Sequence, residues 1–123
     1  MRKWILASCL ALVASVAQAD GVENKWRLEF SGNAESDGRI VLELAPAQGE
    51  PIRASVDIAD GLGENAVAET VRAALQKQAG QRYSVETDDG EDVLLKKQDG
   101  QQDFVVTVVE NTVQGVRVDI DSE

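Results

Sequence analysis

Two short acidic stretches carry the residue types and spacing closest to a chemical site. In the first, Asn33, Glu35 and Asp37 stand at alternate positions just before Gly38. That is the donor spacing in the first half of an EF-hand calcium loop, where side-chain oxygens at positions 1, 3 and 5 precede a glycine at 6. Ile40 falls at the hydrophobic position of such a loop. Position twelve, where a bidentate glutamate closes the shell, is Leu44, and no helices flank the stretch. The spacing therefore predicts an eight-residue hairpin loop rich in turn formers, without a tight calcium site. In the second stretch, Asp88, Asp89, Glu91 and Asp92 crowd around Gly90. Clustered carboxylates repel one another and suit a hard, oxygen-seeking cation. The plainer reading of these four is a solvated hairpin tip. All seven residues stand as candidates only, and no metal is expected.

The remaining residues withhold most catalytic chemistry. The chain has no histidine, and its single cysteine is Cys9. Without histidine there is no Ser-His or Cys-His nucleophile pair, and no zinc site of mixed His and Cys. There is no phosphate loop and no Gly-x-Gly-x-x-Gly turn between a strand and a helix. A Ser-Lys pair or a carboxylate dyad stays open, but among 22 acidic residues no spacing singles out a pair. Trp26, Phe30, Tyr83 and Phe104 each fall on an apolar strand face, which makes them core residues rather than a ligand-stacking set. The expectation is a non-enzymatic protein without a cofactor.

Residues 1–19 read as a secretory signal peptide. Arg2 and Lys3 supply the positive start, and residues 4–17 form an apolar run softened by Ser8, Cys9 and Ser15. Ala17-Gln18-Ala19 fits the small-x-small cleavage rule and places Asp20 at the mature N-terminus. An uncleaved anchor is the alternative, but about 14 apolar residues fall short of the roughly 20 that span a bilayer. Leu6-Ala7-Ser8-Cys9 resembles a bacterial lipobox, with hardly any hydrophobic region ahead of the cysteine. Cleavage after Ala19 leaves 104 of the 123 residues, enough for one domain with its own core. Losing Arg2 and Lys3 leaves 10 basic residues against 22 acidic ones, a formal charge of −12. Such a chain repels nucleic acid and anionic lipid, and suits cationic partners. Solubility is the blander consequence of the same charge. Cys9 leaves with the leader, so no disulfide is available and stability must come from packing.

The elements that must position these residues follow from periodicity. The one helix runs over about residues 63–79. Val67, Val71, Ala74 and Leu75 recur at helical spacing and make one apolar stripe, while Glu69, Arg72, Gln76 and Lys77 fall on or near the other side. Gly63 suits the N-cap, Glu64 opposes the macrodipole, and Gly80 suits a left-handed residue after the last turn. Before the helix, three stretches alternate as half-buried strands: Trp26, Leu28 and Phe30; Ile40, Leu42 and Leu44; Ile52, Ala54, Val56 and Ile58. After it come Tyr83 and Val85, then residues 93–97, 104–109 and 116–120. Residues 104–109 are apolar on both faces apart from Thr107, the pattern of a central strand. Turn signals every eight to twelve residues give an α+β domain over 20–123: a meander-like antiparallel sheet of five to seven strands with the helix packed on one face. One helix cannot cover seven strands, so the sheet either curls around it or splits into two layers.

Residues 50–109, about half of the chain, run strand, acid-glycine turn, alanine- and valine-rich helix, then strands. PIRASVDIADGLGENAVAETVRAALQKQAGQRYSVETDDGEDVLLKK resembles the small ββαββ modules of flagellar hook-cap proteins, flagellins and phage tail-sheath proteins. The resemblance implies an exposed structural or binding insert rather than a catalytic unit, and it carries over no functional residue. Three functions follow in order: a small exported acidic binding module without catalysis, a structural subunit assembling through β-edges at the cell surface, and a carboxylate-dependent enzyme. The partner is an unidentified protein or cationic species, not nucleic acid, with no membrane span after cleavage. Location is the periplasm or the medium. Intact mass of the protein recovered from its host's envelope or medium is expected to match a chain beginning at Asp20; a full-length mass or a lipidated Cys9 contradicts it.

Overall fold

The computed structural model describes residues 21–123; the leader, its cleavage point and Cys9 lie outside the described residues. Seven strands and one helix follow one another as β1 (Lys25–Ser31), β2 (Gly38–Pro46), β3 (Ile52–Ile58), α1 (Glu64–Ala79), β4 (Tyr83–Asp88), β5 (Asp92–Lys97), β6 (Phe104–Asn111) and β7 (Arg117–Ser122). The strands form two antiparallel sheets, one of order β4-β5-β1-β7 and one of order β3-β2-β6. The fold is α+β, and the sheet has split into two layers. β2–β3 and β4–β5 are neighbours as a meander gives, whereas β1 enters between β5 and β7.

Alternation explains the layers. Trp26, Leu28 and Phe30 of β1, Val93 and Leu95 of β5, and Tyr83 and Val85 of β4 all turn inward. Opposite them lie Ile40, Leu42 and Leu44 of β2, Ala54, Val56 and Ile58 of β3, and Phe104 and Val106 of β6. These faces make one core. All four aromatics named from the sequence lie in it, with Tyr83 and Phe104 packed at 4.6 Å between ring centroids. No helix among the described residues is long and apolar enough to cross a membrane.

α1 packs against β3 and β4, and also touches β1 and β5. It therefore fills the seam where an edge of one sheet meets an edge of the other. Val67, Ala68, Val71, Leu75 and Ala79 are its buried residues. Gln78 completes the seam: its Oε1 accepts from the Ser55 N–H at 3.2 Å and its Nε2 donates to the Ser55 carbonyl at 3.1 Å. Backbone groups on the outer side of β3 thus find a partner on the helix.

Three expectations are corrected. First, β6 is an edge of the three-stranded sheet, not a central strand. Its inner residues Phe104 and Val106 are buried, but Val105 is half-buried and Val109 is 40% exposed, so its outer face stays partly in water. Second, Gly80 is right-handed, with φ −63°. Glycine suits it because a Cβ would collide with the carbonyl and side chain of Gln76; the Gly80 N–H donates to that carbonyl at 3.0 Å. Third, the connection from β1 to β2 is not a hairpin, since the two strands belong to different sheets.

Urea melts of three variants test this placement of α1. Val71→Asp buries a charge without a partner, at a cost of several kcal/mol, against a total stability of roughly 5–15 kcal/mol; it is expected to unfold the domain. Gly80→Val is intermediate, because its branched side chain meets Gln76. Arg72→Asp is mildest, because Arg72 lies on the outer side and its partner, at 2.7 Å, is the exposed Glu69. Equal damage from Arg72→Asp and Val71→Asp contradicts the assignment of faces.

Candidate functional site

Inward packing of the four-stranded sheet dictates what its outer face carries. With Leu28 and Phe30 buried, Arg27 and Glu29 must face out; with Val93 and Leu95 buried, Asp92 and Leu94 must do so. Register then lines up the carboxylates. Asp88 of β4 stands opposite Asp92 of β5, Asp92 opposite Glu29 of β1, and Glu29 opposite Asp119 of β7. Four acidic residues cross the whole sheet in one row. Directly opposed Cβ atoms lie about 4.5–5.5 Å apart, and like charges so placed are destabilising.

The adjacent row, Glu86, Leu94, Arg27 and Asp121, contains the neutralising group. Arg27 Nη1 donates to Asp92 Oδ2 and to Asp88 Oδ2, the latter at 3.2 Å. Its Nε donates to Glu123 Oε2 at 2.9 Å. One positive charge is thus divided among three carboxylates. Hydrogen bonding to Glu123, and next to Asp92, favours the charged guanidinium and moves the arginine pKa further up. In return, hydrogen bonding from Arg27 holds the Glu123 carboxyl below the usual carboxylate range.

Asp92 is the unusual member. Its side chain is 9% exposed although it lies on the outer face, with Arg27 bonded to its Oδ2 and Glu29 and Asp88 opposite it on the flanking strands. Oδ2 is bonded to Arg27, but Oδ1 is buried and, among the described residues, accepts no hydrogen bond. Two groups of carboxylate oxygens converge here, each with its members within 4.8 Å of one another: Glu29, Glu91 and Asp92, and Asp88, Asp89 and Asp92. The loop between β4 and β5 permits this because Asp89 and Gly90 both take positive φ, 52° and 81°.

All four candidates of the second acidic stretch therefore meet around Asp92. Glu29, from a strand 63 positions before Asp92 in the chain, is the residue missed in the sequence. Its outward direction was legible from the alternation of β1, but its neighbours depend on register. The first stretch does something different. Asp37 Oδ1 accepts from the Asp60 N–H at 2.9 Å, the Ala34 N–H donates to the Leu62 carbonyl at 2.8 Å, and the Glu35 N–H donates to the Gln114 carbonyl at 2.8 Å. Ala34 is buried beneath them. Asn33, Glu35 and Asp37 belong to a clasp joining three loops, and they do not appear among the converging carboxylate groups of the described residues.

No protein-family model matches this chain, and none of the curated proteins matches it.

The pH dependence of stability checks the role of Arg27. Glu123 has a depressed folded pKa, so its contribution is complete above the unfolded value of about 4.3 and disappears as pH falls through the lower folded value. Urea melts between about pH 3 and pH 7 are expected to show an acid limb that flattens in Arg27→Gln, together with a lower midpoint at neutral pH. Asp37→Ala, by losing the bond to Asp60, costs about 0.5–1.5 kcal/mol and leaves the acid limb of Arg27 unchanged. An unaltered acid limb in Arg27→Gln contradicts the shared-guanidinium arrangement.

Proposed function

We propose that this protein is an exported, non-catalytic binding module that takes a cationic protein or peptide on the outer face of its four-stranded sheet. The observation that carries the proposal is the row of Asp88, Asp92, Glu29 and Asp119, flanked by Glu86, Asp121 and Glu123. Lys25, Arg27, Lys96 and Arg117 are the basic residues of that face, and Arg27 is already engaged. By contrast, the outer face of the three-stranded sheet pairs its charges locally, Arg53 with Glu43 at 3.1 Å and Arg39 with Asp57 at 4.0 Å. A face with an excess of one sign attracts an oppositely charged partner and raises its association rate in a salt-dependent way. Carboxylate catalysis wants an acid raised in an apolar cleft, whereas this cluster lies on a polar sheet face beside a guanidinium. Export rests on the leader pattern of residues 1–19, and the likeness of residues 50–109 to exposed insert modules supports a surface role.

A second reading, a subunit that assembles through β-edges, is favoured by one observation: β6, with the run Val105-Val106-Thr107-Val108-Val109, is an edge strand. Unpaired apolar edges accept another strand. Two features blunt it. Glu23 pairs with Phe104 at the start of β6, and the ladder to β2 shifts register between Val41 and Leu42.

A lysine- and arginine-rich peptide is expected to bind at low salt and weaken as salt rises. Asp119→Lys with Asp121→Lys is expected to cost at least about tenfold in affinity, while Asp57→Lys on the other sheet changes little. Absence of binding at low salt, or equal loss from Asp57→Lys, contradicts the proposal. Light scattering over a range of concentrations separates the second reading, which requires mass to grow with concentration.

A further inference from the structure

We infer that Glu29, Glu91 and Asp92 form a binding site for a calcium-sized divalent cation, seated at the end of the carboxylate row. Two independent observations carry it. Three carboxylate oxygens from β1, β5 and the loop before β5 lie within 4.8 Å of one another. Separately, the Asp92 side chain is more than nine-tenths buried, and among the described residues its Oδ1 accepts no hydrogen bond. A buried carboxylate oxygen without a donor is costly, and a cation is the partner that would satisfy it.

Arg27 does not fill that role. Its guanidinium is shared among Asp88, Asp92 and Glu123 and bonds the other oxygen, Oδ2. Asp88 shares that guanidinium, whereas Glu29 and Glu91 do not, so the triad with Glu29 and Glu91 has the greater uncompensated charge of the two. Among the described residues, neither Glu29 nor Glu91 makes an ion pair. Glu29 is exposed and Glu91 half-buried, so the site opens to solvent on one side.

The donor set fixes the class of ion. Oxygen donors alone suit hard cations, and nitrogen or sulfur ligands are not part of the cluster. Magnesium dehydrates reluctantly and is usually held through one or two carboxylates, whereas calcium accepts several carboxylates in a flexible shell, so three protein carboxylates favour calcium. Three carboxylates provide fewer than its usual six to eight oxygens, so water completes the shell and the affinity falls in the range of about 0.1–1 mM found for extracellular modules. The site does not depend on the cationic-partner reading, because the metal alone is the probe.

Thermal melts of the protein in low-salt buffer test it, with calcium chloride titrated to about 10 mM. Calcium is expected to raise Tm progressively, more than magnesium chloride does, and more than sodium chloride at matched ionic strength. EDTA is expected to reverse the rise. Glu29→Gln and Glu91→Gln, neither of which touches Arg27, are expected to lose most of the calcium response and keep their folded spectra. Asp119→Asn, in the same row but outside the triad, is expected to keep it. Asp92→Asn also breaks the contact with Arg27, so the test does not rest on that variant. No calcium-dependent rise, a rise matched by sodium chloride, or equal loss in Asp119→Asn overturns the inference. Full response in Glu29→Gln and Glu91→Gln overturns it as well.

Discussion

The buried stripe of α1 is the constraint on which the architecture rests. Two antiparallel sheets facing each other leave two open seams, and each seam exposes a row of backbone groups and the rim of an apolar core. α1 closes one of them by lodging Val67, Val71 and Leu75 between β3 and β4. Fully burying a side chain of this type stabilises by roughly 1.5–3 kcal/mol, so the stripe alone matters on the scale of a whole domain's stability. Alanine at 68 and 79 lets the helix lie close against the strands. Among the described residues no helix lies at the opposite seam. It is fastened by the Glu23 bridge to Phe104, by the Trp26 Nε1 bond to the Phe104 carbonyl at 2.7 Å, and by the Asn111 side chain donating to the Val116 carbonyl at 3.0 Å. With no cysteine between Asp20 and Glu123, these contacts do what a disulfide would do in many small secreted domains.

The acidic face is a consequence of that packing, because a strand cannot choose its two faces separately. Once Leu28 and Phe30 are committed to the core, Arg27 and Glu29 are committed to the other side, and a one-residue slip would reverse both. Register then brings Asp88, Asp92, Glu29 and Asp119 abreast. A sheet under no other demand would place alternating signs there, since opposite charges across strands stabilise and like charges do not. One guanidinium among three carboxylates relieves only part of the repulsion. The excess negative charge is what makes this face the candidate for cationic partners.

Much of the fold was legible because its signals are local. The strands announced themselves by alternation and the helix by its stripe and by glycines at both ends. Core aromatics were readable for the same reason. What failed depended on long-range pairing. Residues 104–109 have the composition of a central strand, and only the strand order reveals β6 as an edge whose outer valines stay partly in water. Gly80 has the residue type of a left-handed cap, and its real constraint, the nearness of Gln76, is visible only in three dimensions. The site divides in the same way. Asp88, Asp89, Glu91 and Asp92 are close in sequence and could be named; Glu29 and Asp119 join them through register across β5, β1 and β7, which no local pattern encodes.

The two acidic loops show why composition alone does not assign a role. Asn33, Glu35 and Asp37 have the more suggestive spacing, yet their surroundings use them for structure. Gly32 and Gly115 approach so closely that a Cβ on either would strike the other loop's backbone, and Asp37 spends an oxygen on the Asp60 N–H. A carboxylate already bonded to a backbone donor has less to offer a cation, and a loop fastened at several points cannot wrap around one. The Asp88–Asp92 hairpin has the less suggestive spacing, but two of its residues take positive φ and turn their neighbours back over β5. There Asp92 is buried with one oxygen bonded and the other without a hydrogen-bond partner among the described residues. The difference between a clasp and a candidate binding site therefore lies in where the backbone donors fall. In the first loop one reaches Asp37; in the second, none among the described residues reaches Asp92 Oδ1.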